Sequence, residues 1–335
     1  MSNSRNEARE CGKPRPVDKG RINRRDFFIA GAVGAAIAGI SCSIKDAAGD
    51  ESLAQKESAV RPDSESTGKP VPRQEIRTQK ISFNSETGEP SSILFDSVLP
   101  GEVHELATDA ISISGHCSYV QAGREDVYDV LLVMSGKAVF SSAENLVEAV
   151  EEQIIRAPYG NKYRIEVKAG DEFRCLRVRR TLTAEDIEAI RQNADMHSSL
   201  YAKKYTDCPA YTEAIKSPKT LNRMLLPEGY VPRLCMGTVE TTGPDSVGVH
   251  DHPMLDQLFL GLKNCRCTCN ADGAEALLLE NNLLHIPLGS KHSASVKQDE
   301  LLSYLWMDMF LTSEGQSYMS EQHKMVGQEK EADGK

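Results

Sequence analysis

With 335 residues, 40% of them hydrophobic and 26% charged, the chain has enough apolar material to bury the cores of two ordinary globular domains. Its formal net charge of -10 is unevenly spread: the first 42 residues carry 8 Lys+Arg against 4 Asp+Glu, and the rest carry 31 against 45. An acidic body with no basic stripe speaks against nucleic acid as a partner, and nine irregularly spaced cysteines in a chain this long do not make a small disulfide framework.

The chain opens with a polar, basic leader that reaches Asn23-Arg24-Arg25-Asp26-Phe27-Phe28 and then an uncharged Ala/Gly-rich run, Ile29 to Ile40. That run is shorter than the roughly 20 residues a membrane-spanning helix needs, so it reads as a processed signal. Arg24 and Arg25 ahead of two aromatics resemble the twin-arginine export signal, which implies passage across the membrane in the folded state; an ordinary secretory signal is the alternative. Cys42 closes the run in a context that resembles a lipoprotein processing site, with Gly39 where Leu is usual. Residues 1–42 are thus read as the export signal, with Cys42 a candidate lipidation site. Residues 43–80 are read as a disordered polar tether, because they hold few large apolar side chains. The expected location is the periplasm or the outer face of the cell membrane, with anchoring through the N-terminus if Cys42 is lipidated.

Past residue 80 the text changes to short β-branched and aromatic runs broken by Gly, Asn and Pro about every 8 to 12 residues, the pattern of an all-β barrel or sandwich. The one strong helical signal is Leu182 to Asn193, where Thr183 and Asp186 form a capping box ahead of Ile187 and Ile190. Polar flanks with Pro209, Pro218 and Pro227 make 181–229 a linker carrying a short helix, between barrels at 81–180 and 230–320, with a disordered tail at 321–335. The two barrels read as copies. Tyr128–Gly136 lies over Asp256–Asn264 at an offset of 128, and Pro158–Tyr163 over Pro287–His292 at an offset of 129. Gly136 and Asn264, the residue types that most easily take positive φ, fall at the same turn.

His250-Asp251-His252, then Gln257, then Pro287-x-Gly289-x-x-His292, resembles the two-motif signature of the cupin superfamily, and the resemblance covers both halves, making the chain a bicupin. It implies two double-stranded β-helix (jelly-roll) barrels, self-association into a homo-oligomer because bicupins often pack through strand exchange, and a metal site in the second barrel formed by His250, His252, Gln257 and His292. The spacing of two would put the first two histidines on one face of a strand. Three imidazoles and an oxygen suit one divalent transition metal, Mn or Fe favoured because folding before export lets the cytoplasm choose the ion, with Ni, Cu and Zn the alternatives. The other reading of the histidines is three satisfied core residues. Gln257 and Asn264 depart from the family pattern, where Glu and Gly are usual. A Gln carbonyl carries no charge and accepts no proton at neutral pH, so the ion would keep its full charge and favour an anion. Asp251, Asp256, His285 and Lys291 are the candidates for proton transfer, with alternation aiming Asp251 away from the metal.

In the first copy Ala122, Arg124, Asp129 and Tyr163 occupy the ligand positions, so that site is read as degenerate. Cys265, Cys267 and Cys269 share one strand face and read as buried hydrophobes before metal ligands. Trp306, Met307, Met309 and Phe310 are expected to close the barrel. The functional expectation is an exported metal-dependent enzyme acting on a small anionic compound such as a sugar acid, keto acid or enol, by isomerase, lyase or dioxygenase chemistry. The alternative is a non-catalytic cell-envelope binding protein for a small ligand or metal.

Overall fold

The computed structural model describes residues 75–83, 92–213 and 215–316; Arg24, Arg25, Cys42 and the tail 321–335, with the expectations attached to them, lie outside these. The first copy contributes β1 (Arg77–Lys80), β2 (Ser92–Val98), β3 (Leu106–Ser114), β4 (Cys117–Gln121), β5 (Val127–Ser142), β6 (Asn145–Val150), β7 (Gln153–Arg156), β8 (Tyr163–Val167) and β9 (Glu172–Thr181). Helices α1 (Ala184–Gln192) and α2 (Ala194–Ser198) follow. Then come β10 (Tyr201–Lys204), β11 (Ala210–Tyr211), β12 (Leu221–Val231), β13 (Leu234–Thr242), β14 (Asp245–His250), β15 (Leu255–Gly261), β16 (Arg266–Ala271), β17 (Ala274–Leu279), β18 (Asn282–Ile286), β19 (His292–Val296) and β20 (Leu301–Phe310).

The expected all-β fold of two jelly-roll barrels is what the chain adopts. Barrel strands alternate as a half-buried strand should: Tyr163, Ile165 and Val167 of β8 point inward, Arg164 and Glu166 outward. In the first barrel β5 runs through both walls, pairing with β7 and β9 along its first half and with β6 and β8 along its second. It bends at Gly136, at φ +77°. A Cβ there would meet the Glu172 carbonyl oxygen at 2.0 Å, so only glycine fits. In the second barrel the same path is split at Asn264, φ +59°, into β15 and β16, which lie in separate seven- and four-stranded sheets.

Backbone geometry repeats the duplication. Ala143, Glu152, Gly160 and Gly170 all have positive φ, and so do Asp272, Asn281, Gly289 and Asp299, each 129 residues further on. Turns that force the left-handed region have been kept in both copies while side chains diverged.

The leading strands are exchanged within the chain. β1 precedes the first barrel but pairs with β18 of the second, and β10 precedes the second barrel but pairs with β7 of the first. The registers match: Arg77 lies opposite His285, and Tyr201 opposite Arg156, 129 residues earlier. Part of the stretch read as tether thus forms a wall of the second barrel. The stretch read as linker holds α1 with its capping box intact, Asp186 N–H donating to Thr183 Oγ1 at 3.2 Å and Thr183 N–H to the Asp186 carboxylate at 2.9 Å. From Leu221 it is already β12 of the second barrel.

Three of the four apolar clusters among the described residues follow from alternation. Leu131, Phe140, Ile165 and Phe173 fill the first barrel; Val239, Phe259, Leu284 and Tyr304 fill the second. Their strand neighbours Val130, Leu132, Leu176, Leu258, Leu260, Leu305 and Met307 face the other way and meet between the barrels. Each such side chain contributes about 1.5–3 kcal/mol on burial, which is why β15 is buried along its whole length.

At the edge of this interface Glu105 and Arg233 hold equivalent positions before β3 and β13, both left-handed (φ +61° and +57°), and bond one another at 2.9 Å. Arg233 also grips the α1 cap residue Asp186 through Nε and Nη2, each at 2.9 Å, and Arg180 donates to the same carboxylate at 2.9 Å. Removing Arg233 would leave the Glu105 and Asp186 carboxylates sharing Arg180 alone, an uncompensated charge in an enclosed cluster. Arg233→Met should lower unfolding free energy by about 3 kcal/mol in urea denaturation; a change below about 0.5 kcal/mol, the level of an ordinary surface substitution, would contradict this role.

Candidate metal centre

β14 and β19 pair so that His250 lies opposite His292. His252 does not share the strand with His250 as the spacing suggested: the β14–β19 register breaks between Val247 and His250, β14 ends there, and His252 reaches inward from the following loop. The three rings still converge, with centroids 4.3 to 5.3 Å apart and one nitrogen of each within 4.8 Å of the others.

Second contacts orient the rings. His250 Nδ1–H donates to the Gly248 carbonyl at 2.7 Å and His292 Nδ1–H to that of Ser290 at 3.1 Å, which leaves each Nε2 with its lone pair. His292 Nε2 is buried with no hydrogen-bond partner. Burial, then the neighbouring His250, holds the His292 pKa down to about 4, so the ring is a neutral donor. Gln257 on β15 is buried too, its amide N–H donating to Asp308 Oδ1 at 2.8 Å while Oε1 has no hydrogen-bond partner. A buried imidazole nitrogen and a buried carbonyl oxygen left in this state are what a bound cation would satisfy. The donor set fits one divalent ion.

These groups open on a cavity of about 680 Å³. Of the proton-transfer candidates, Asp256 and His285 bond each other at 3.1 Å, and His285 also bonds Glu102 of the first barrel at 3.1 Å, so both are committed to the interface. Asp251 and Lys291 are exposed. The acids and amine that do line the cavity escaped the sequence reading: Asp308 of β20, Glu228 of β12, and Glu213 and Lys216 from the connection. Burial pushes the Asp308 carboxyl up to about 7 against the Gln257 hydrogen bond. Burial lowers the Lys216 amine while Glu213 at 2.9 Å opposes the shift, and Asn222 Oδ1 accepts a second bond at 2.9 Å. A signal for Asp308 existed: it is the lone acid within the apolar strand Leu301–Phe310. Nothing local marked Lys216.

Trp306 and Phe310 correct an expectation, for they line this cavity; Met307 and Met309 pack between the barrels. Cys265, Cys267 and Cys269 lie in the apolar interior of the barrel, buried as expected of small hydrophobes. A sulfur contact with Cys267, then burial, raises the Cys265 thiol far above its ordinary range.

The first barrel shows the same strand register with other chemistry. Gln257 pairs with Asp308 across β15 and β20, and Asp129 with Arg179 across β5 and β9. Arg179 Nε bonds Asp129 Oδ1 at 2.8 Å, and Tyr163, at the position of His292, donates to Asp129 Oδ2 at 3.0 Å. An ion pair and a phenol therefore fill that site, while Arg124 is exposed and paired with Asp126.

No protein-family model matches the sequence, and no curated protein sequence matches it. Solved structures do. A cupin 2 conserved barrel domain protein from Leptotrichia buccalis matches at 14% identity over 69% of this chain and 96% of that one, with a TM-score of 0.50. The formate complex of oxalate decarboxylase from Lactobacillus farciminis matches at 10% over 66% and 84%, TM-score 0.50. Procruciferin, an 11S globulin from Brassica napus, matches at 7% over 71% and 85%, TM-score 0.52. These likenesses are of fold: the chain is built as two cupin barrels, a scaffold that here spans an enzyme and a globulin. Function must therefore be argued from the site.

Since Asp308 alone fixes the Gln257 amide, Asp308→Leu should weaken metal binding by roughly 10- to 100-fold in a chelator competition. Unchanged affinity would show that Gln257 is not a ligand oriented in this way.

Proposed function

We propose that this protein is an exported, metal-dependent bicupin enzyme acting on a small organic oxygen acid, of the sugar-acid, keto-acid or enol type. The observation that carries the reading is the convergence of His250, His252 and His292 on one point, with the buried His292 Nε2 and Gln257 Oε1 lacking any other partner. When bound, a divalent ion supplies Lewis acidity toward an oxygen ligand. The neutral imidazoles and the Gln257 amide leave its charge intact, which favours an anionic oxygen. Mn or Fe is favoured, with Ni, Cu and Zn compatible with the same donors. Isomerase, lyase and dioxygenase chemistry all remain compatible with these residues. Asp308, in the cavity and bonded to Gln257, supplies a carboxylate that the uncharged ligand set lacks.

A binding protein without catalysis is the second reading, favoured by one observation: Gln257 cannot accept a proton where a glutamate would. Consumption of an oxygen acid by metal-loaded protein, absent in His292→Ala, decides for the enzyme. For the metal itself, chelated protein should gain about 2.7 kcal/mol of stability from Mn(II) or Fe(II) at a hundredfold excess over Kd. His292→Ala should gain none. An equal gain in the variant would refute the assignment.

Export is proposed from Arg24, Arg25 and the apolar run after them, with Cys42 the residue that would carry a lipid. Folding before passage suits a protein that must acquire its metal first. Replacing Arg24 and Arg25 by Lys should hold the protein in the cytoplasm; undiminished export would show that another signal is in use.

A further inference from the structure

We infer that the ligand of the metal centre carries a flat aromatic body, and that Trp306, seated by Gly237, is the residue that selects it. The inference rests on the metal-dependent reading and narrows its substrate to aromatic acids, away from short chains such as oxalate.

The metal end accounts for little of the space. A cavity of about 680 Å³ lies in the range that holds drug-sized ligands, and a two-carbon acid at the histidines would leave most of it unfilled. Its walls beyond the histidines are Tyr211, Phe259, Trp306 and Phe310, with Met224 and Ile215. Several polar wall groups are already engaged, Lys216 with Glu213 and Asn222 and Asp308 with Gln257, while Glu228 and Ser293 also stand at the wall. The aromatic part of the wall favours another ring in offset or edge contact.

Comparison of the two barrels shows the shelf to be a built feature. Residue 306 lies opposite residue 237 across β20 and β13, as residue 177 lies opposite residue 109 across β9 and β3. In the first barrel these are Arg177 and Asp109, bonded at 2.6 Å, with Arg177 also donating to Tyr119 and Gln121. Four polar side chains close that mouth. In the second barrel the arginine is replaced by Trp306 and the aspartate by Gly237. A Cβ at 237 would stand 2.3 Å from Trp306 Cζ2 and 2.6 Å from the Arg223 carbonyl oxygen, so the glycine is what lets the indole lie against β13 and leave the mouth open. Trp306 is only partly buried, its remaining surface turned to the cavity. This pair, together with the Asp129–Arg179 ion pair and Tyr163, separates a plugged barrel from an open, aromatic one.

Trp306 is also the single tryptophan of the chain, so its fluorescence reports on this cavity and nothing else. The test titrates Mn-loaded protein, its metal content measured on the same sample, with trans-cinnamate, acrylate and oxalate. Acrylate keeps the carboxylate of cinnamate without the ring; oxalate is the short acid. A saturable change in emission is expected with cinnamate, at an affinity at least roughly tenfold tighter than acrylate or oxalate. In Trp306→Leu, followed by calorimetry, the preference for cinnamate over acrylate should fall to within about threefold while metal content stays unchanged, because only the ring contact is lost. Acrylate or oxalate binding as tightly as cinnamate, no saturable response to cinnamate, or a preference that survives in Trp306→Leu would each overturn the inference. Failure to retain metal in the wild type would instead overturn the reading on which it rests, and the metal measurement separates the two.

Discussion

A strand that is apolar on both faces must be covered on both. β5 and β15 are such strands: Leu131 and Phe259 fill barrel interiors, while Val130, Leu132, Leu258 and Leu260 fill the space between barrels. Neither copy can bury its own central strand alone, and the remaining architecture follows from that dependence. The reciprocal exchange of β1 and β10 ties each barrel to the other's chain, and Glu105 and Arg233, equivalent residues of the two copies, close the edge of the joint. A frame fixed in this way can hold three histidines from a strand end, a loop and a second strand on one point without help from a ligand.

Duplication then allowed the two sites to part. The same backbone positions carry Gln257 beside Asp308 in one barrel and Asp129 beside Arg179 in the other. In the first barrel the arginine satisfies the acid and Tyr163 completes the closure, so no buried polar group there calls for an ion. In the second, the acid holds the amide by its N–H and turns an unsatisfied carbonyl oxygen inward. The acid that an ordinary glutamate would place among the histidines stands one step further out, as Asp308, whose carboxyl is pushed up to about 7 by burial and which bonds the Gln257 amide.

Much of the fold was legible because it is written in turns. Gly136 and Asn264, and Gly160 and Gly289, announce left-handed positions whatever surrounds them, so a repeat survives even where side chains have diverged. The three histidines were legible for the same reason, being tied to fixed spacings. The exchange of β1 was not. Arg77-Thr78-Gln79-Lys80 has neither alternation nor apolar content, because an edge strand that pairs with a distant partner needs only its backbone groups. The cavity wall was hidden by distance: Lys216 and Glu213 come from a connection without periodicity, and only the folded chain brings them to Asp308. His252 left the strand expected for it because a local break in register turned two neighbours in sequence onto different elements. Trp306 looked like a barrel closure until Gly237, 69 residues away, was seen to make room for it.

The central claim is that His250, His252, Gln257 and His292 hold one divalent transition metal. Elemental analysis of the protein purified without a histidine tag, beside His250→Ala and His292→Ala, tests it directly. The account predicts about one first-row transition metal per chain in the native protein and none in either variant. Native protein without stoichiometric metal, or variants that retain it, would contradict the account.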